Sequence, residues 1–190
     1  MIERKTANLK DRYRRFLPPL ALLIILALAA GLRLQHIKAD PPPMLDHLTN
    51  SAGIYFDEAM YCHNARNKVL FDTWMTDDWN PVLYNAVLTG IYYAGFKAFG
   101  LSIAAMKVVN ILFGLLGIVF LCLAIRRYLS GFYALGFAFL FALDFYWTMY
   151  NRIGLLENFS TLFFILRFYF IVRAKYRPWA GAEADVKARV

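Results

Sequence analysis

Two adjacent carboxylates, Asp57 and Glu58, are the residues of this chain best suited to do chemistry. They follow the first apolar stretch and precede a mixed polar segment that contains Tyr61 and Arg66. A carboxylate among apolar groups is costly unless it is hydrogen-bonded or paired, so the pair indicates a site. A positioned carboxylate can act as a general base toward an acceptor hydroxyl or amine. The simpler interpretation is that Asp57 caps a helix and both charges face solvent.

A second pair of charged residues, Arg152 and Glu157, lies next to the last apolar stretch. A charge beside a membrane span is expensive and is by default a functional candidate. The planar fork of an arginine suits phosphate oxygens, so Arg152 is a candidate to hold a phosphate close to the acidic pair. The alternatives are an ion pair at the membrane edge, or long side chains that extend to the membrane surface.

The composition predicts a membrane protein. Hydrophobic residues make up 60% of the chain and charged residues 18%, whereas soluble domains have roughly 45–50% and about 25%. The net charge of +8 does not indicate a nucleic-acid partner, because the basic residues cluster beside apolar stretches, where orientation signals belong. Cys62 and Cys122 show no metal-ligand spacing. The sequence requires no cofactor, and dependence on a divalent metal stays open.

Five apolar stretches are long enough to cross a membrane. They occupy residues 16–34, 82–99, 103–125, 133–149 and 155–172. Basic clusters lie in the N-terminal tail, at 126–127 and at 173–177. The positive-inside rule places all three clusters in the cytoplasm only if 82–99 does not span. That stretch is also the most polar of the five, so we expect an interfacial helix there; an ordinary tilted span is the alternative.

The predicted fold class is an all-α polytopic membrane protein with about four transmembrane helices and two amphipathic interfacial helices in a large first external loop. We expect a cytoplasmic basic tail at 1–15, a transmembrane module at 16–177, and a polar tail at 178–190. Within the module the spans are 16–34, 103–125, 133–149 and 155–172, and the external loop is 35–102. The first stretch also resembles a signal peptide, but its length and the spans that follow favour a retained anchor.

Four short motifs occur in this order along the chain. They are Asp57-Glu58-Ala59-Met60-Tyr61 with Ala65-Arg66, then Asn80-Pro81-Val82-Leu83-Tyr84 followed by Phe99-Gly100-Leu101-Ser102, then Ala105-Met106-Lys107-Val108-Val109-Asn110 leading to Arg126-Arg127, and finally Asn151-Arg152-Ile153-Gly154-Leu155-Leu156-Glu157. In order and spacing they resemble the N-terminal part of a GT-C glycosyltransferase of the protein O-mannosyltransferase and aminoarabinose-transferase type, over about residues 16–175. The chain departs from the family pattern at Trp79-Asn80-Pro81, where the family often has His-Pro-Pro, and at Lys107, which replaces a usual arginine.

The resemblance implies a membrane enzyme that transfers a sugar from a polyprenyl-phosphate-linked donor to an acceptor protein, glycan or lipid on the external face. It implies that Asp57 is the catalytic base, with Glu58 beside it. The residues implied to contact substrate are Arg152, Glu157, Tyr61 and Arg66. The expected location is the bacterial plasma membrane with the N-terminus in the cytoplasm. Family members have many more spans, so an N-terminal fragment of such an enzyme is one interpretation of these 190 residues.

Two other classes of protein compete with the enzyme. One is a noncatalytic membrane subunit that shares the fold and stabilises a partner subunit. The other is a small transporter, which should carry polar residues near the midplane of its spans. The predicted spans place their charges at the ends, so the transporter ranks last.

The basic clusters predict the topology directly. A reporter fused after Arg127 should stay cytoplasmic, and a reporter fused at Asp77 should be external, because the positive-inside rule fixes both positions. Activity of a dual phosphatase–fluorescence reporter at the two sites measures this. The four-span arrangement is wrong if both reporters report the same side.

Overall fold

All regular secondary structure in the described part of the chain is helical. The computed structural model describes residues 2–37, 56–75 and 85–175, with side chains from positions 18, 58 and 85 of those ranges onward. The helices are α1 (Ile2–Leu34), α2 (Phe56–Phe71), α3 (Ala86–Phe99), α4 (Ile103–Ile125), α5 (Gly131–Leu143), α6 (Phe145–Asn151) and α7 (Leu156–Lys175). The expected all-α class is confirmed for these residues. The motif at 80–84, the reporter position Asp77 and the tail at 178–190 lie outside them.

The boundary expected between a basic tail and a first span at residue 16 is not a helix boundary. α1 continues from Ile2 to Leu34 and passes through Pro18 and Pro19. Each proline removes one backbone donor from the helix. The apolar part of α1, Pro18–Leu34, is about 26 Å long at 1.5 Å per residue.

Two capped helix ends separate α3 from α4. The side-chain oxygen of Asn85 accepts a hydrogen bond from Leu88 N at 3.0 Å, which caps α3. Ser102 Oγ accepts one from Ala105 N at 3.1 Å, which caps α4. Between them Gly100 has φ 81°, a left-handed conformation that glycine adopts without strain. At about 21 Å, α3 is shorter than the hydrocarbon core of a bilayer, about 30 Å, in keeping with the interfacial helix expected at 82–99.

The span predicted at 133–149 is not one continuous helix. It divides into α5 and α6, whose axes differ in direction by 63°. Asp144 lies at the break, and its carboxylate accepts a hydrogen bond of 2.6 Å from Trp147 N. An aspartate that caps a new helix competes with continuation of the old one, which is why the chain bends here.

The described residues contain fewer clear spans than the four predicted. α4 is long and apolar enough to cross a membrane, and α5 with α6 makes a second span if the bent pair is counted as one. α7 has 20 residues but carries Arg167 near its middle as well as charges at both ends. The interpretation of 155–172 as an apolar span overlooked Arg167, and an arginine at the centre of a membrane helix costs about 2.5–3.5 kcal/mol on insertion scales. Length and composition alone therefore support one or two spans.

The helices pack around α4, which contacts α1, α3, α5, α6 and α7, while α2 packs on α3. Apolar side chains form two clusters along α4. The first cluster comprises Ala65, Leu88, Tyr92, Phe96, Ala105, Met106, Val109, Phe113 and Leu162, and the second Ile25, Ala29, Ile118, Cys122, Ala134, Ala138 and Ala142. Ala134, Ala138 and Ala142 recur every fourth residue and are fully buried. Small residues on one face let helices approach closely, so this stripe seats α5 against its neighbours.

A glycine on α4 makes room for a polar side chain from the end of α6. A Cβ added at Gly114 would lie 1.9 Å from Asn151 Oδ1, a distance that no real contact allows. Asn151 is fully buried, and this oxygen also accepts a hydrogen bond from Arg33. The amide cannot move away without losing that bond, so the position requires glycine.

We therefore expect Gly114→Ala to destabilise the fold by about 1–3 kcal/mol, the range for an overpacked core position. Gly90→Ala is the matched control, because Gly90 lies inside α3 with open space around it. The control should be neutral or should stabilise by up to about 1 kcal/mol, since alanine favours helix over glycine. Unfolding midpoints of the two purified variants in detergent measure the difference. Equal midpoints would show that the Asn151 site can relax.

Candidate functional site

The acidic pair and the segment at 151–158 meet in the fold. Glu58, in the first turn of α2, is fully buried. Its carboxylate oxygen Oε1 accepts a hydrogen bond of 2.6 Å from Gly154 N, although 96 residues separate the two. Hydrogen bonds to a carboxylate are roughly twice as strong as neutral ones, so this contact holds α2 against the 151–158 segment.

The 151–158 segment, which joins α6 to α7, is shaped by two buried asparagines. Asn158 Nδ2 donates to the backbone carbonyls of Tyr150 at 2.6 Å and Ile153 at 2.8 Å. Asn158 Oδ1 accepts from Asn151 Nδ2 at 3.1 Å. Helix ends leave carbonyl groups without partners. The Asn158 amide supplies donors for two such carbonyls, and Asn151 holds that amide in place, so the pair fixes the turn from which Gly154 presents its N–H.

A buried arginine that the sequence analysis missed anchors this segment to α1. Arg33 is fully buried, and its Nε donates to Asn151 Oδ1 at 3.0 Å. Its Nη1 donates to the carbonyls of Ala29 at 3.1 Å and Ala142 at 3.0 Å. One guanidinium thus joins α1, α5 and α6. The signal that could have found it is a lone cation at the end of an apolar stretch.

Arg152 holds the end of α1. Its Nη1 donates to the carbonyl of Leu32 at 3.2 Å, and its Nη2 donates to the carbonyls of His36, at 3.1 Å, and Gln35. Cations are favoured at a helix C-terminus, where carbonyl groups lack partners and the helix dipole is negative. The guanidinium proposed from the sequence to hold a phosphate is therefore engaged with the backbone in this structure.

Burial, with a smaller contribution from Glu58, raises the pKa of neighbouring side chains. Burial raises the pKa of the Cys62 thiol to about 12, and the negative charge of Glu58 adds to the effect. The thiolate, not the thiol, is the reactive form. Cys62 is therefore a neutral packing residue at physiological pH and not a nucleophile.

A polar contact inside the first cluster links α3 to α4. Asn110 is fully buried, and its Nδ2 donates to the Tyr92 hydroxyl at 2.9 Å and to the Met106 carbonyl at 3.0 Å. Burial raises the pKa of Tyr92 well above its ordinary value, and the charge of Glu58 contributes in the same direction. The Tyr92 phenol, which feels the charge of Glu58, therefore stays protonated at physiological pH.

A cavity of about 230 Å³ opens between α2, α3 and the start of α4. Its lining residues are Ala59, Cys62, Arg66, Phe96, Leu101, Ser102, Ile103 and Met106. The wall is mostly apolar, and Arg66 supplies the cation. Arg66 Nη2 donates to Asn67 Oδ1 at 2.9 Å and lies 3.3 Å from His63 Nδ1, so neighbours on α2 orient the guanidinium. An apolar cavity with a few placed polar groups is typical of a ligand site.

The remaining predicted residues occupy different surroundings. Asp57 is the second residue of α2, and its side chain lies outside the described residues. Tyr61 is half-buried and packs against the first cluster. Glu157 is exposed in the first turn of α7, where the helix dipole favours a carboxylate. Lys107, the departure from the family pattern, is fully buried on α4.

The fold thus brings Glu58 to the 151–158 segment but gives Arg66 and Arg152 different partners. Met106 connects the cavity to that segment, because it lines the cavity and its sulfur would lie 3.0 Å from a Cβ added at Gly154. No group of three His, Cys, Asp or Glu side chains suited to a metal ion occurs among the residues that the structure describes.

Comparisons with known proteins return no match. No family model, no curated protein and no solved structure matches this chain. Functional inference therefore depends on the motifs of the sequence and on the contacts described above.

The contacts of Arg152 predict a stability effect. Arg152→Ala removes donors from three carbonyls at the end of α1 and should lower the free energy of unfolding by about 1.5–3 kcal/mol, the range for hydrogen bonds to charged groups. Arg152→Lys keeps one cationic donor and should lose less. Lys97→Ala, at an exposed position in the last turn of α3, is the control. Thermal midpoints and membrane yields of the three variants measure this, and an unchanged midpoint for Arg152→Ala would contradict it.

Proposed function

We propose that this chain is a membrane glycosyltransferase of the GT-C type, or the N-terminal part of one, that uses a polyprenyl-phosphate-linked sugar donor on the external face. The observation that carries the proposal is the hydrogen bond between Glu58 and Gly154 N. It joins the two segments, 57–66 and 151–157, to which the family resemblance assigns the catalytic and substrate-binding residues. Catalytic and substrate-binding residues from two separate segments can form one active site only if the fold places the segments in contact on the same side of the membrane.

The surface of the helices supports a membrane location. Large apolar side chains are exposed on α5, α6 and α7, among them Phe132 at 81%, Phe145 at 71% and Phe164 at 67% of their surface. Soluble monomers rarely expose extended apolar patches, and lipid would cover these side chains. We propose the four-span topology on this ground and on the placement of the basic clusters, with the bent α5–α6 pair as the third span.

In this proposal Glu58 and Asp57 have different roles. Glu58 is buried and bound to Gly154, so it positions the 151–158 segment and does not touch the acceptor. Consecutive helix positions are about 100° apart, so both carboxylates cannot serve the same contact. Asp57 is therefore the general base, which takes the proton of the acceptor hydroxyl or amine as the bond to the sugar forms.

The cavity beside α2 is the proposed place for the lipid carrier. Its apolar wall suits the first isoprene units, and Arg66 suits the phosphate. Tyr61, five residues before Arg66 on α2, and Glu157 remain candidates for contact with the sugar. We assign Arg152 an indirect part, because its guanidinium fixes the segment against α1.

A noncatalytic membrane subunit that stabilises a partner subunit is the second candidate. It is favoured by the structural use of two predicted site residues, since Glu58 and Arg152 both bind backbone groups. In that case the contacts of the site would serve packing alone, and Asp57 would be a residue of the first helical turn without a chemical role.

The decisive variant is Asp57→Asn. Loss of a general base should lower sugar transfer about 10²–10⁴-fold, with membrane yield unchanged. The readout is release of polyprenyl phosphate from a panel of polyprenyl-phosphate hexoses and pentoses, because this product forms whichever acceptor is used. Asp72→Asn, the same substitution at an exposed position just after α2, is the matched control and should leave the rate unchanged.

The result also separates the two candidate functions. Consumption of no donor by the folded wild-type chain would reject an enzyme that works with these 190 residues alone. It would leave the noncatalytic subunit, or an N-terminal part that needs the rest of its enzyme for activity. Donor consumption at a normal rate by Asp57→Asn would remove Asp57 from the chemistry while leaving the transferase in place.

A further inference from the structure

A second cavity lies at the other end of α4, away from the proposed active site. It has a volume of about 320 Å³ and is lined by Leu123, Arg126, Arg127 and Tyr169. The first cavity touches Ser102 and Ile103 at the start of α4, and this one touches the residues at its end. A helix of this length extends about 35 Å, close to the thickness of a bilayer core, so the two cavities lie at opposite membrane surfaces if α4 spans.

This cavity carries an excess of positive charge. Arg126 and Arg127 are exposed, and neither side chain makes a hydrogen bond or an ion pair within the described residues. Arg173 lies four residues after Tyr169, on the same face of α7 and one turn closer to its end. The acidic side chains of the described part, Glu58, Asp72, Asp144 and Glu157, all belong to the other end of the helices.

The walls of the cavity are amphipathic and held in place by aromatic contacts. The ring of Tyr169 packs edge-on against Phe120 with centroids 5.4 Å apart. Tyr128 and Phe168, the chain neighbours of Arg127 and Tyr169, stack with ring centroids 6.4 Å apart. Leu123 gives an apolar wall on the side of the helix bundle. At about 320 Å³ the cavity is within the size range of small-molecule sites, about 300–1,000 Å³.

We propose that this cavity binds the phosphodiester headgroup of an anionic phospholipid of the cytoplasmic leaflet. Two guanidinium groups can each present paired N–H donors to phosphate oxygens, and the Tyr169 hydroxyl can donate a further hydrogen bond. The acyl chains continue past Leu123 along the apolar surface of α4 and α7. Basic pockets between membrane helices on the cytoplasmic side bind such lipids by this chemistry. A lipid bound here would contact both α4 and α7. The 151–158 segment leads into the opposite end of α7.

The simplest competing explanation is that these arginines only orient the chain in the membrane. Orientation depends on positive charge, so lysine would serve as well as arginine, whatever the geometry of the side chain. The double variant Arg126→Lys with Arg127→Lys separates the two ideas. It keeps both charges and so preserves the orientation signal, but it loses the planar forks. Arg167→Lys on α7, outside the lining of the cavity, is the matched control.

The experiment is a titration of the purified full chain in phosphatidylcholine nanodiscs with phosphatidylglycerol, followed by native mass spectrometry and by the thermal midpoint. We expect saturable binding of phosphatidylglycerol with a raised midpoint, and at least about tenfold weaker binding by the double lysine variant. Tyr169→Phe should weaken binding about two- to tenfold, through loss of one hydrogen bond, and serves as the second variant if the double variant does not fold.

Three outcomes would overturn the proposal. One is equal affinity for phosphatidylglycerol in wild type and in a folded double lysine variant, or in Tyr169→Phe if the double variant does not fold. Another is binding of phosphatidylglycerol no better than of further phosphatidylcholine. The third is inorganic phosphate binding as tightly as the lipid, which would assign the cavity to a free phosphate and not to a headgroup.

Discussion

The burial of Arg33 is the constraint on which the arrangement of the helices depends. Taking a guanidinium out of water costs several kcal/mol unless it is hydrogen-bonded. Here Nε donates to one asparagine side chain and Nη1 to carbonyls of α1 and α5, while Nη2 has no hydrogen-bond partner within the described residues. Each of these partners has to sit within hydrogen-bond distance at once, so α1, α5 and α6 can adopt few other arrangements. The close approach of Gly114 to Asn151 follows from the same requirement.

The packing of α1, α5 and α6 fixes the position of the 151–158 segment, which contains the predicted site residues Arg152 and Glu157. The segment is held from one side by Arg33 through Asn151, and Arg152 ties it to the end of α1. From the other side it receives the buried carboxylate of Glu58 at Gly154 N. A segment fixed on both sides is preorganised, which is what binding or catalysis asks of the residues around a substrate. The same bonds explain why two predicted site residues, Glu58 and Arg152, are engaged with backbone groups.

The two ends of α4 differ in chemistry, and this polarity suits a chain that lies across a membrane. One end holds the acidic residues of the described part and the cavity with Arg66. The other has exposed arginines around a second cavity, and their side chains form no ion pair with any residue that the structure describes. Arg167 disturbs the simple scheme, because it lies exposed near the middle of α7. In the proposed four-span topology, its long apolar stem would let the charge reach a membrane surface if α7 were tilted or shallow.

The sequence by itself predicted the helical class, the separation of the apolar stretches at 82–99 and 103–125, and a helix that Asp57 caps or begins. These follow from apolar periodicity, turn residues and charge placement, which act locally along the chain. It did not reveal the bend at Asp144. The apolar run around this residue favours one continuous helix, and the structure is needed to see that the Asp144 side chain caps a new helix instead. Nor did the sequence reveal that Glu58 is buried, that Arg152 binds α1, or that Arg33 matters at all. Those outcomes depend on which backbone groups lie within about 3 Å of each side chain, and only the tertiary structure sets distances between residues some hundred positions apart.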